Sequence, residues 1–279
     1  RTEFNIMKNI NELVVSSFGE EWDYYKQDND QNLLSAFNQY FNIFPVEYLN
    51  SDSEGFDMGC GSGRWAKYIA PKVKVLNCIE PSQKALNVAK KNLKEFNNCQ
   101  FECASSNTNS IVENSQDFGY CLGVLHHTPD PQIGLNNCVS KLKKGCPFLL
   151  YLYYNFDNRP FWYRLIWLPT NLLRKVISSL PFKLKLPITK LIALIVYLPL
   201  ARLGKLLSLI GINANTLPLF DYKDKSFYFM QTDSFDRFST KIEKRFSKEE
   251  ITRIMELSGL EKIIFSEGTP FWVALGYKK

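Results

Sequence analysis

The stretch Phe56-Asp57-Met58-Gly59-Cys60-Gly61-Ser62-Gly63 decides how this chain of 279 residues is read. A short apolar run gives way to glycine at every second position, and residues 64–70 then read as a helix. Strand, glycine turn and helix in that order make a nucleotide cradle, because glycine lets the backbone approach a ligand that any Cβ would block. Arg64 stands where the dinucleotide fingerprint has its third glycine, and no Lys-Ser/Thr pair follows, which excludes a P-loop.

Working outward, the run 73–79 ends in Glu80-Pro81, with the acid 17 residues past Gly63. A carboxylate at that edge of a second strand accepts both hydroxyl protons of a ribose. The other reading is a solvated acid at the start of the helix over 82–97. Strand-like runs around Phe101 and over 118–124 and 148–154, with a further helix over 133–142, complete the alternation of a parallel α/β sheet. Later, Ser247-Lys248-Glu249-Glu250 is a capping box opening a helix that Gly259 ends. Residues 262–266 and 271–277 then read as a closing hairpin, so the sheet is interrupted after its fifth strand and resumed about 90 residues later.

The runs FDMGCGSGRWAKYIA, NCIEPS, SQDFGYCLGVLHHTPDP and LKKGCPFLLY resemble the successive motifs of class I S-adenosylmethionine-dependent methyltransferases, in the branch related to ubiquinone and menaquinone methyltransferases. The resemblance covers residues 50–154, with 247–279 as the last helix and hairpin. It implies a three-layer, Rossmann-like α/β fold with a seven-stranded sheet and a reversed last strand. It also implies methyl transfer from S-adenosylmethionine. By position, Asp57, Gly59, Cys60, Gly61 and Gly63 would line the methionine end of the cofactor and Glu80 the ribose. Pro81 and Ser82 would flank the adenine, and Leu122, Gly123 and His127 would lie beneath the cofactor. Where the family shows Gly-Asp-Ala before its fourth strand, this chain has Glu102-Cys103-Ala104-Ser105, so the adenine contact falls to backbone near Ala104 or to the Ser105 hydroxyl.

His126 and His127 follow the fourth strand, at the crevice where open α/β sheets bind ligands. Either one is a candidate general base, His126 first, since imidazole titrates in the useful range; the alternative is that both only pack. Ahead of the first strand, Trp22 and Tyr25 are candidates to shield a sulfonium by cation–π contact, against ordinary packing of an extra helix.

Lys+Arg 34 against Asp+Glu 28 gives a net +6, and its distribution is uneven. Residues 158–220 hold nine bases and no acid, leaving 25 bases and 28 acids elsewhere, so a body at −3 carries a segment at +9. In that segment residues 171–180, ended by Pro181, and a second helix opened by Pro199 read as basic amphipathic helices. A transmembrane span is not expected, since the charge-free stretch 191–201 is only 11 residues long against about 20 for a bilayer core. Two readings stand: a helical lid with solvated bases, or peripheral contact with the inner face of an anionic membrane. Nucleic acid is not expected, because the bases alternate with Leu and Ile rather than with stacking platforms.

The expected organisation is an aromatic helical cap (1–50), a cofactor-binding core (51–154), a basic apolar lid (155–246) beside the substrate mouth, and core completion (247–279). The acceptor is read as a small apolar, lipid- or glycan-linked molecule methylated on O or C. The alternatives are a polar sugar or amine, or an inactive cofactor-binding partner protein. Seven cysteines without a C-x-x-C pair read as reduced core residues, no metal site is expected, and residues 1–15 lack a signal-peptide core, all pointing to the cytoplasm.

Overall fold

The computed structural model describes residues 9–25, 30–267 and 271–279. Residues 1–8 and 26–29 of the expected cap lie outside the described residues. The chain divides into two compact units, Arg1–Asp157 with Ile242–Lys279, and Asn158–Lys241.

The first unit is a seven-stranded sheet of β1 Glu54–Met58, β2 Val75–Ile79, β3 Cys99–Glu102, β4 Phe118–Leu122, β5 Pro147–Tyr151, β6 Leu260–Phe265 and β7 Val273–Lys278. Its order is β3-β2-β1-β4-β5-β7-β6, with the first five strands parallel and β7 antiparallel to both neighbours. This is the Rossmann-like sheet with a reversed last strand that the motifs imply. All of β4 is buried, as parallel strands covered on both faces must be. One core cluster, with Leu76, Phe118 and Tyr120, fills one face, and a second, with Phe56, Phe148 and Leu150, fills the other.

Helices α1 Glu12–Tyr24 and α2 Asp30–Phe41 precede the sheet. The helix read over 64–70 shrinks to a single turn, α3 Ala66–Ile69. Helix α4 Gln83–Asn92 starts on the Ser82 hydroxyl and buries Ala85, Leu86 and Ala89. Helix α5 Pro131–Lys141 is capped by Asp130, with proline at its first position.

In the second unit, α6 Trp162–Ile177 runs through Pro169 and is longer than the 171–180 segment read from sequence. The helix expected to open at Pro199 begins much earlier, as one continuous helix, α7 Phe182–Leu209, long and apolar enough to cross a membrane by length and composition. A π turn over Ala193–Tyr197 lies just before Pro199, where the ring would otherwise press on the Ile195 carbonyl. The bases that bound the charge-free run, Lys190 and Arg202, both lie within α7. Lys185 turns inward and donates to Ser239 O at 3.2 Å, and Arg174 Nη1 donates to Thr240 O at 2.6 Å. Two cations thus meet the carboxyl end of α8 Phe227–Ser239, where the helix dipole and unpaired carbonyls favour positive charge.

The chain leaves the first unit after β5 and returns beside it. Tyr154 and Phe246 form an isolated bridge, with Phe246 N–H on Tyr153 O at 2.8 Å and Asn155 N–H on Phe246 O at 3.0 Å. Helix α9 Lys248–Leu257 then opens with the capping box read from the sequence, both of its hydrogen bonds formed.

Candidate functional site

The glycine turn follows β1 directly, and Gly59, Gly61 and Gly63 have φ of 81°, 55° and 78°. Each sits in the left-handed region, which explains alternate glycines by conformation. The amides of Gly59 and Cys60 both donate to Ile79 O, at 2.8 and 3.0 Å, pinning the turn to the end of β2.

Glu80 stands at that end and is buried. Its Oε2 accepts the Gly61 amide at 3.0 Å and its Oε1 the Ser82 amide at 2.9 Å. Loss of water pushes its pKa up to about 7, opposed by those two amides. Asp57, buried on β1, is raised by the same loss of water to about 8, with the Tyr120 hydroxyl opposing the rise. A carboxylate has about four lone-pair sites. Two are used by Gly61 and Ser82, and the others suit a vicinal diol, so the donor and acceptor set fits a ribose.

Trp22 lies against this turn: a Cβ at Gly61 would come within 3.1 Å of its indole nitrogen. The guanidinium of Arg64 sits between the rings of Trp22 and Trp65, 4.8 and 4.6 Å from their centroids. Gly19 lets α1 approach so closely, since a Cβ there would fall 2.4 Å from Ser82 Oγ. Trp22 is therefore brought to the site. Tyr25 is buried at the end of α1 with its ring edge-on to Tyr24.

On the far side of β2, Cys103 Sγ lies 3.6 Å from Pro81 O, joining the ends of β2 and β3. Ala104 and Ser105 are buried beside it. The Ser105 hydroxyl is engaged locally, accepting the Asn107 amide at 3.2 Å and meeting Thr108 Oγ1 at 3.1 Å.

The end of β4 is tied to β5 by Gly123 N–H on Tyr151 O at 3.1 Å, with Leu122 buried next to it. His126 and His127 follow in a single 3-10 turn, both buried. The His126 ring stacks on Tyr153 with centroids 3.9 Å apart, and neither of its nitrogens has a hydrogen-bond partner among the described residues. Burial, then the charges of His127 and Arg245, hold its pKa well below the usual histidine value. His127 Nδ1 lies 2.6 Å from Ile242 O. A carbonyl only accepts, so Nδ1 carries the proton and Nε2 the basic lone pair. The His127 ring is thus oriented by a hydrogen bond at Nδ1, whereas His126 is held by stacking on Tyr153.

Sequence reasoning missed the rest of this cluster. Phe18 lies 5.1 Å from His127, and the buried ion pair Arg245–Glu243, at 2.7 Å, places its guanidinium over Tyr153 and Phe156. Tyr153 was near the end of a strand-like run, and Glu243 and Arg245 were two of many charges at the end of the expected lid, so no local signal marked them.

The methyltransferase domain family matches residues 56–150. Ubiquinone biosynthesis O-methyltransferases from Coxiella burnetii and Vibrio vulnificus are each 27% identical, over 108 and 112 residues. Those alignments take in 38% and 37% of this chain and 44% and 48% of the relatives, so the chain spans less than half the length of the curated relatives it matches. A chain of the Haloferax volcanii complex of the Trm112 methyltransferase activator with a methyltransferase has the same fold, at a TM-score of 0.51 and 11% identity, over 92% of this chain and 96% of that one. Sheet order, glycine turn and Glu80 clamp agree with the family match, and residues 56–150 form a domain of the methyltransferase type.

Proposed function

We propose that the chain transfers a methyl group from S-adenosylmethionine to an oxygen or carbon of a small, largely apolar, lipid- or glycan-linked metabolite. The observation that carries this reading is the Glu80 clamp, one buried carboxylate shared by the Gly61 and Ser82 amides with acceptor sites to spare. Bound there, the cofactor supplies an electrophilic methyl group on a sulfonium, which asks chiefly for in-line placement and dry surroundings.

Glu80 and the glycine turn hold the nucleoside, while Trp22 covers the turn. Phe18, Tyr151 and Tyr153 around the histidine pair supply an aromatic, water-poor surface that suits an apolar acceptor. For an acceptor hydroxyl, His127 is the base, its ring oriented by Ile242 O and its Nε2 taking the proton. His126 serves as a stacked, neutral ring. The relatives named as O-methyltransferases favour oxygen as the accepting atom.

Titration calorimetry with S-adenosylmethionine and its demethylated product tests the core of the reading, and no heat at sub-millimolar ligand would overturn it. A screen of phenolic, lipid-linked and polar acceptors with labelled cofactor tests the acceptor class. Labelling of polar sugars or amines alone would overturn the apolar assignment.

A further inference from the structure

Helix α7 is inside out. The side facing its own unit carries Lys185, Thr189, Ala193, Tyr197, Ala201 and Gly204, all buried and nearly all polar or small. These are satisfied within the unit: Lys185 on Ser239 O, Tyr197 OH on Asp233 Oδ2 at 3.0 Å, and the Thr189 carbonyl accepting Ser234 Oγ at 2.9 Å. The opposite side carries Leu191, Leu194, Ile195, Val196, Leu203 and Leu206, each 40–60% exposed. Helix α6 shows part of the pattern, burying Arg174 with Tyr163 and Ile177 while Leu165, Leu168, Leu172 and Val176 are exposed.

A helix covering a water-soluble core buries its leucines and solvates its lysines. The reverse arrangement, with small and polar residues between helices and aliphatic residues outward, is what a hydrocarbon surrounding selects. Although α7 gives Tyr197 and Ala201 to the core cluster of its unit, only 28% of its most apolar stretch is buried.

We infer that the exposed faces of α6 and α7 embed in one leaflet of an anionic lipid bilayer. Charge names the lipid: residues 158–220 hold nine bases and no acid, and Arg164, Lys175, Lys183 and Arg202 are exposed beside the aliphatic surface. Long basic side chains there reach headgroup phosphates while their stems stay in the apolar layer. Connectivity names the depth. The second unit begins and ends on the same first unit, so an embedded insertion returns to the side it left and crosses an even number of times. Among the described residues only α7 is long and apolar enough to cross, so the faces lie in the interface rather than span it. This inference is independent of the methyltransferase reading.

The test is flotation of the full chain with vesicles of phosphatidylglycerol and phosphatidylcholine, compared with phosphatidylcholine alone. The expected result is flotation with the anionic vesicles, weakened by salt. The pair Ile195→Gln and Leu206→Gln, on exposed positions, should lower partitioning about tenfold or more with an unchanged thermal unfolding curve. The pair Lys175→Glu and Lys183→Glu should remove the preference for anionic lipid. Failure to float at low salt, or equal flotation of the glutamine pair, would overturn the proposal. So would a chain that self-associates in vesicle-free buffer, ignores vesicles and becomes monomeric in the glutamine pair, because the face would then bind a second copy.

Discussion

Glu80 and Gly61 are joined by a 3.0 Å hydrogen bond from the loop amide to the carboxylate, so the acid proposed to hold the ribose also sets the shape of the glycine turn. Glu80→Gln keeps the length of the side chain but makes one of its two acceptors a donor, facing an amide that also donates. The expected outcome is a cofactor Kd weakened by roughly 10- to 100-fold, from one charge-assisted bond of about 1.5–3 kcal/mol. Calorimetry decides it, and an unchanged Kd would remove Glu80 from the cofactor site.

The two buried carboxyls make the ligand-free chain sensitive to pH. Asp57 titrates at about 8 and Glu80 at about 7, both raised by burial. A raised carboxyl holds its proton in the folded chain where the unfolded chain has lost it. Unfolding stability should therefore fall as pH rises from about 4–5, the unfolded carboxyl range, through 7 to 8. Thermal unfolding followed by circular dichroism should show the slope, and Asp57→Asn should flatten it. Stability that rises over the same window would contradict the assignment.

His127 and His126 should separate in kinetics. With Nδ1 held by Ile242 O, His127→Asn should lower kcat toward an oxygen acceptor by about 10²- to 10³-fold while leaving cofactor Kd nearly unchanged. His126→Phe keeps a ring to stack on Tyr153 and should retain most activity. The reverse ranking would return the role of base to His126.

Trp22 is expected to contribute to both stability and binding. Trp22→Ala empties one side of the Arg64 sandwich and a buried indole site, which should cost about 3–5 kcal/mol in denaturant unfolding. Trp22→Phe, which preserves a ring over Gly61, should recover much of that stability and hold cofactor Kd within a few-fold of the wild type. If Trp22→Phe binds no better than Trp22→Ala, the ring is not part of the site.

In the second unit, Arg174→Met removes the guanidinium from the end of α8 while keeping much of the volume of its stem. A loss of about 2 kcal/mol is expected from unpaired carbonyls and the uncompensated dipole. Hydrogen exchange at the last turn of α8 would locate the loss, and unchanged protection there would deny Arg174 this role.

The sheet was legible in sequence where strands are buried on both faces, as in the Phe118 run, and where turn chemistry is explicit, as in Gly59-Cys60-Gly61. Strand β3 showed only at Phe101, because an edge strand with partly exposed residues carries little apolar signal. In the site, Glu80 could be found because it lies one strand from the turn. Tyr153, Glu243 and Arg245 could not, because a long excursion of the chain separates the residues that the fold brings together. Residues 182–198 of α7 carried no helix reading in sequence, because residue type alone does not say which way Lys185 points. It points inward and donates to Ser239 O.

The bridge between Tyr154 and Phe246 gives the second unit the character of an exchangeable cassette. The clasp is made by first-unit residues on both sides of the excursion, so β5 and the path to α9 remain joined whatever hangs beyond it. The excursion can then be lengthened, replaced or deleted without opening the sheet at β5.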